Sequence, residues 1–204
     1  MPYDPVVIAE QDRGTYVARK VVFNITGDSR VLGLMLVPKG KGPFPAVLLL
    51  HDHGARFDIG KEKVIQPFGV PDERMESAKE WVNLCYGGRW IGDELAKKGY
   101  ICFATDMLNW SDRGGGGYDG QQALAGNLLH LGMSFAGLIA YEDLRSAEFL
   151  ATRPEVDDKR VSHVQNPCFF LMVDKMGFSL CLPLRKHIPR CEKSGNRKTQ
   201  EKTL

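Results

Sequence analysis

Apolar and polar residues alternate from Tyr16 to Ile25, with β-branched types prominent, and Thr26-Gly27-Asp28-Ser29 then supplies turn residues before Val31 to Val37 extends again. Period-two alternation on both sides of a turn predicts an antiparallel hairpin. Gly40-Lys41-Gly42-Pro43 closes that unit, and Ala46-Val47-Leu48-Leu49-Leu50 follows as an unbroken apolar run. A strand apolar on every position is covered on both faces, so this one belongs in the middle of a sheet.

No clean period emerges from Ala55 to Trp90, apart from a helix over Glu73 to Leu84 that Gly87-Gly88 would end. Ile91 to Lys98 reads as a second helix, with Lys97-Lys98 in its last turn and Gly99 as its stop. Tyr100 to Thr105 is the next buried strand. A second excursion runs through the Gly114 to Gly117 run, read as a flexible loop, to a short helical piece near Leu124 to Leu131. Phe135 to Ala151 is the strongest helix. Leu138, Tyr141, Leu144 and Phe149 are expected on its buried face and Glu142, Arg145 and Glu148 off it, with Ser134 as N-cap and Pro154 as terminator. Strands alternating with helices imply a mostly parallel sheet with right-handed crossovers, edged by the antiparallel hairpin.

The 204 residues, 43% of them apolar, suffice for one substantial core and not for two ordinary domains. The net charge of +2 hides an asymmetry: residues 183–204 hold seven Lys/Arg against Glu192 and Glu201, leaving 20 basic and 23 acidic residues in the rest. With no aromatic residue after Phe178 to stack on bases, that tail reads as a solvated, poorly ordered end, and no nucleic-acid partner is expected. Cys85, Cys102, Cys168, Cys181 and Cys191 are odd in number and form no C-x-x-C pair, which fits free thiols in a reducing compartment; Cys102, inside a strand, is a small buried hydrophobe. Neither a signal peptide nor an apolar run near ~20 residues is present, so a soluble, cytoplasmic chain without a membrane partner is expected.

Three stretches in this order are distinctive: Pro43-Phe-Pro-Ala-Val-Leu-Leu-Leu-His51, Gly92-Asp-Glu-Leu-Ala-Lys-Lys-Gly-Tyr100, and Asp143-Leu-Arg-Ser-Ala147 leading to Arg153-Pro-Glu-Val-Asp157. Over about residues 16–162 the chain resembles the α/β-hydrolases, in particular the branch of dienelactone hydrolases and acetyl xylan esterases. The resemblance implies an α/β fold and cleavage of carboxylic esters by a serine nucleophile, through an acyl-enzyme, on a small ester or acetylated carbohydrate, with no cofactor. It also implies that the loop after the strand ending at Leu50 lends backbone N–H groups to the oxyanion, here those of Asp52 and His53. The plain alternative is a strand end whose polar side chains meet solvent. His51-Asp52-His53 also has the His-x-His spacing of a metal site, but no further ligand follows at a zinc-hydrolase spacing, and no metal is expected.

The pattern then departs. Arg160-Val161-Ser162 begins the strand that should deliver the nucleophile about five residues later, and no Gly-x-Ser-x-Gly follows. Gly177-Phe178-Ser179 comes only later, with Cys181 where the second glycine should stand and Pro183 in the helix that should follow; beyond Ser179 there is one histidine, His187, and no aspartate. Ser179 is the tentative nucleophile. Three accounts fit residues 163–204: aberrant or frame-shifted text on a hydrolase beginning (1–162), a thirteen-residue insertion before a true elbow, or a divergent chain that has abandoned catalysis. The expectation is an incomplete, inactive ester hydrolase, the alternative a non-catalytic binding module with an open sheet edge. Oligomeric state is not legible. Of the remaining candidates, Asp106 is expected to accept hydrogen bonds from the loop through Arg113, the Gly114–Gly117 run lacks the Lys-Ser/Thr of a phosphate loop, and Trp81, Trp90 and Trp110 are expected to be loop anchors rather than pocket walls.

Overall fold

The computed structural model of the chain describes residues 1–165. The apolar run is its central feature: β4 (Phe44–Leu50) lies between β5 (Ile101–Thr105) and β6 (Val156–Gln165), parallel to both. The hairpin, β2 (Tyr16–Asn24) and β3 (Arg30–Pro38), pairs over its full length from Tyr16↔Pro38 to Asn24↔Arg30, and β3 joins β5 antiparallel. A further strand, β1 (Val6–Asp12), extends the hairpin side and completes the order β1-β2-β3-β5-β4-β6. The sheet is therefore mixed, with its parallel part on the β4 side and an antiparallel part larger by one strand than the sequence suggested.

Alternation distributes the core to the two faces. Ala46, Leu48, Ile101 and Phe103 point to the face covered by α4 (Phe135–Ala151), with Phe23, Phe149 and Leu150. Val47, Leu49, Cys102 and Ala104 point to the other face, with Val64, Ile65 and Ala96 of α2 (Ile91–Lys97). Phe23 and Phe149 stack with ring centroids 4.2 Å apart, each fully buried, worth roughly 1.5–3 kcal/mol of transfer free energy apiece. Cys102 is buried and free, and burial pushes its thiol pKa up.

Two helices fill the excursions, α1 (Asp72–Cys85) and α3 (Gly117–His130). The glycine run is less of a loop than expected, since Gly116 takes a left-handed conformation at the N-cap and Gly117 opens α3. Ser134 caps α4 as predicted, its Oγ accepting from the Gly137 amide at 2.9 Å. The face that α4 buries matches the predicted one at Phe149, with Glu148 exposed as expected, and departs from it elsewhere. Glu142, Ser146, Phe149 and Leu150 are buried, whereas Tyr141 and Leu144 are 50% and 66% exposed. Polar residues occupy core-facing positions because they are paired there: Arg113 forms a bidentate bridge to Glu142 at 2.6 and 2.7 Å, and Ser146 Oγ lies 3.4 Å from the Thr105 hydroxyl. Among the described residues no single helix is long and apolar enough to cross a membrane.

Candidate functional site at the C-terminal sheet edge

His51, Asp106 and the end of β6 at Gln165 all fall at the carboxyl ends of the parallel strands, the edge where open α/β sheets hold ligands. The loop His51-Asp52-His53-Gly54 leaves β4 here, and four side chains hold it from within.

His51 is buried. The Met107 amide donates to its Nε2 at 3.0 Å, so the proton resides on Nδ1, which donates to the Asp52 carbonyl at 3.0 Å. Burial, with Lys63 nearby, pulls its pKa down to about 4, which keeps the ring neutral. His53 is likewise committed: the Ala55 amide donates to Nδ1 at 3.2 Å, and Nε2–H donates to Gln121 Oε1 at 3.2 Å. With both nitrogens of both rings engaged, neither imidazole offers a lone pair to a metal or to a substrate proton. Among the described residues no group of three or more His, Cys, Asp or Glu side chains is placed to hold a metal ion.

Lys63 is the fixture that sequence reading missed. It is fully buried, and its Nζ donates to two consecutive backbone carbonyls, Asp52 O at 2.9 Å and His53 O at 3.1 Å, while lying 5.2 Å over the Trp81 ring. Burial pulls its pKa below the usual lysine value. Trp110 Nε1 donates to the same His53 carbonyl at 3.2 Å, and Asp52 Oδ2 accepts from Tyr86 Oη at 2.9 Å and Trp81 Nε1 at 3.3 Å. Gly54 sits at φ +50°, and a Cβ there would collide with Asp52 Oδ1 and the Trp81 ring. No other residue type fits that turn without displacing a neighbour.

Beside this loop lies a buried charge cluster. Lys61 donates its backbone N–H to Asp106 Oδ1 at 2.8 Å and its ammonium to Asp106 Oδ2 at 2.6 Å and Asp112 Oδ2 at 2.7 Å, with Glu62 Oε1 at 3.1 Å. Burial alone would depress Lys61, but Asp106, Glu62 and Asp112 hold it above its ordinary value, while burial pushes Asp106 up to about 6. Asp106 thus has a structural role, as expected, through a different partner. Its carboxylate serves Lys61, and Arg113 donates to its backbone carbonyl at 3.1 Å. The three tryptophans are anchors, Trp90 Nε1 donating to Glu62 O at 2.8 Å. A cleft of about 250 Å³ opens on the β2–β3 side of the cluster, bordered by Lys20, Leu34, Glu62, Arg74 and Asp112, and does not touch Asp52 or His53. Ser179 lies outside the described residues.

No family model matches the chain. It is 24% identical over 155 residues to YtaP of Bacillus subtilis, a provisionally assigned hydrolase, covering 76% of this chain and 46% of that protein. In structure it resembles a provisionally assigned acetyl xylan esterase from Bacteroides fragilis, with a TM-score of 0.63 and 20% identity over 81% of this chain and 42% of the other. A glucuronoyl esterase from Solibacter usitatus follows with a TM-score of 0.51 and 16% identity over 80% and 45%. The chain spans less than half the length of each of these proteins, and over that span its sheet and helices have the α/β-hydrolase fold.

Proposed function

We propose that this chain is built on the scaffold of a carboxylic-ester hydrolase, that the turn Asp52-His53-Gly54 is its oxyanion-receiving corner, and that the chain by itself does not turn esters over. The supporting observation is the grip of Lys63 on two consecutive carbonyls. In a trans peptide the N–H points opposite to the C=O of the same plane. The only cis bond among the described residues is Gly42-Pro43. The carbonyls of Asp52 and His53 point inward to the ammonium, so the N–H groups of His53 and Gly54 point away from it. Two adjacent donors aimed to one side form a concavity suited to an anion. Of the expected pair, Asp52 and His53, this reading keeps His53 and puts Gly54 in the place of Asp52.

In this reading Ser179 is the nucleophile, and the tetrahedral carbon it forms would place its oxyanion against those amides. The support for inactivity is the want of a complete triad: His51 and His53 have both ring nitrogens occupied, and after Ser179 the sequence holds one histidine, His187, and no aspartate. The substrate class is a small ester or an acetylated carbohydrate, which rests on the esterase scaffolds the fold resembles. Release of 4-nitrophenol from 4-nitrophenyl acetate by the purified chain is expected to match buffer. Turnover that Ser179→Ala abolishes would overturn the claim of inactivity.

A second reading, a non-catalytic recruiting module, is favoured by one observation: Leu129, Leu131, Met133, Tyr141 and Leu144 on and between α3 and α4 are all exposed. Size-exclusion chromatography separates the two, because a strictly monomeric, non-associating chain speaks against recruitment through that surface.

A further inference from the structure

The cleft on the β2–β3 side of the charge cluster is walled by the aliphatic side chains of Leu32, Leu34, Pro67, Val70 and Pro71, and among the described residues no aromatic ring borders it. Its charged lining is unequally spent. Asp112 accepts from the Lys61 ammonium at 2.7 Å on Oδ2 and from Arg74 Nη1 at 2.5 Å on Oδ1. Glu62 accepts from the Gly60 amide on Oε2 and from the Ser111 hydroxyl on Oε1, each at 2.9 Å, with Lys61 Nζ beside it at 3.1 Å. Both acids therefore have both oxygens engaged. The donors are not exhausted. Lys20 Nζ gives one hydrogen bond, to Gly69 O at 2.9 Å, and makes no ion pair among the described residues. Arg74 bonds through Nη1 alone, so its Nε and Nη2 have no hydrogen-bond partner among the described residues.

Both cations are held in place without that capacity being used. The Lys20 ammonium lies 5.2 Å over the Phe68 ring and Arg74 is fixed by Asp112, so neither side chain has to be ordered again when a ligand arrives. We infer that this cleft is a ligand site for a short, branched aliphatic carboxylate, its anionic end meeting Lys20 and the free edge of Arg74 and its alkyl group lying on Leu32, Leu34 and Val70. The planar edge of a guanidinium matches the two oxygens of a carboxylate, and the lysine adds a point charge. Burial pulls the Lys20 pKa below its usual value, with Lys61 and Arg74 acting the same way against Asp112 and Glu62, so an anion beside the ammonium relieves a strain already present. The volume sets the size of the ligand. At about 250 Å³ the cleft equals the liquid volume of roughly eight waters and falls below the ~300–1,000 Å³ that drug-sized ligands occupy, so a small acid fits and an extended one does not. Aliphatic walls without a stacking ring favour a branched alkyl group over a planar one. The cleft does not touch Asp52 or His53, and the inference does not rest on the oxyanion reading of that turn.

The test is a ¹H–¹⁵N titration of the chain with isovalerate at neutral pH. Two controls run beside it: isovaleramide, which keeps the alkyl group and lacks the charge, and inorganic phosphate, which has charge and no alkyl group. Isovalerate is expected to move the Leu34, Val70 and Arg74 amides saturably in the millimolar range and to leave those of His53 and Gly54 in place. In Lys20→Met the apparent affinity is expected to fall about ten-fold, the worth of one charge-assisted hydrogen bond, with the remaining resonances unmoved. Lys20→Gln, which keeps a polar end on the strand, is expected to show the same loss and serves where the methionine disturbs the sheet. Both controls are expected to leave the cleft amides in place over the same concentrations. The inference is overturned by the absence of a saturable shift at the cleft, by equal binding of isovaleramide or phosphate, or by undiminished binding in a folded Lys20 variant. Shifts confined to His53 and Gly54 overturn it as well, because they send the carboxylate to the turn after β4 instead.

Discussion

The loop after β4 and the helix pair α3–α4 treat polarity in opposite ways. In the first, Lys61, Glu62 and Lys63 form a stretch that reads as solvated surface, yet all three are buried, each charge answered by a carboxylate, a cation or a backbone carbonyl. In the second, Leu144, expected on the buried face of α4, is 66% exposed, and Leu131 is 74% exposed. A buried charge persists only where its partners are fixed around it, so the first region is closed and self-consistent within the described residues. Exposed leucines cost little individually, but a row of them leaves apolar area unburied.

The largest effect that sharpens this contrast is Lys61→Met. It leaves Asp106 and Glu62 buried without their cation and is expected to cost about 3–5 kcal/mol in urea unfolding, where a loss under about 1 kcal/mol contradicts the closed-cluster account. Next is the pH response of His51. Its folded pKa of about 4 lies below the unfolded value near 6.5, so the unfolded chain binds the proton more tightly. The stability from keeping the ring neutral is fully present above pH 6.5 and is lost as pH falls through 4, about 3 kcal/mol in all. Asp106, raised to about 6, works in the opposite sense, its contribution growing as pH falls over the same range. The stability difference between the wild-type chain and His51→Gln isolates the histidine, and it is expected to shrink by that amount between pH 7 and pH 4. A pH-independent difference rules out a neutral, buried ring.

Gly54→Ala comes third. The left-handed backbone and the collision with Asp52 and Trp81 are expected to cost roughly 1–3 kcal/mol by the same unfolding measurement, and a neutral substitution means that the turn is not held as described. The smallest effect tests the other region: Leu144→Ala is expected to change stability by less than about 0.5 kcal/mol while reducing self-association in sedimentation velocity. A loss of about 2 kcal/mol or more would mean that Leu144 is packed after all.

Wherever local pattern governs, the sequence was readable. The hairpin, the β4 run, the Gly-terminated α2 and the Ser134-capped α4 follow from alternation, apolar content and capping chemistry. The β1 strand escaped notice because Val6-Val7-Ile8 does not alternate, and a register shift between Val7 and Ala9 interrupts its pairing. The buried face of α4 was misread because periodicity weighs hydrophobicity and cannot register that Arg113, about thirty residues away, neutralises Glu142 in the core. At the site, the resemblance to the α/β-hydrolases pointed to the loop after Leu50, whereas Lys63 and Lys61 gave no signal: a lysine reads as solvent-facing until the carbonyls and carboxylates around it are known.

The most direct test of the central claim follows the His53 and Gly54 amides in ¹H–¹⁵N spectra while methylphosphonate is added to the wild-type chain and to Lys63→Met. If the buried ammonium turns those two N–H groups toward an anion, both resonances shift saturably in the wild type, with an apparent affinity at least tenfold weaker in the variant. Amides that stay put in the wild type, or that respond equally in both proteins, contradict it.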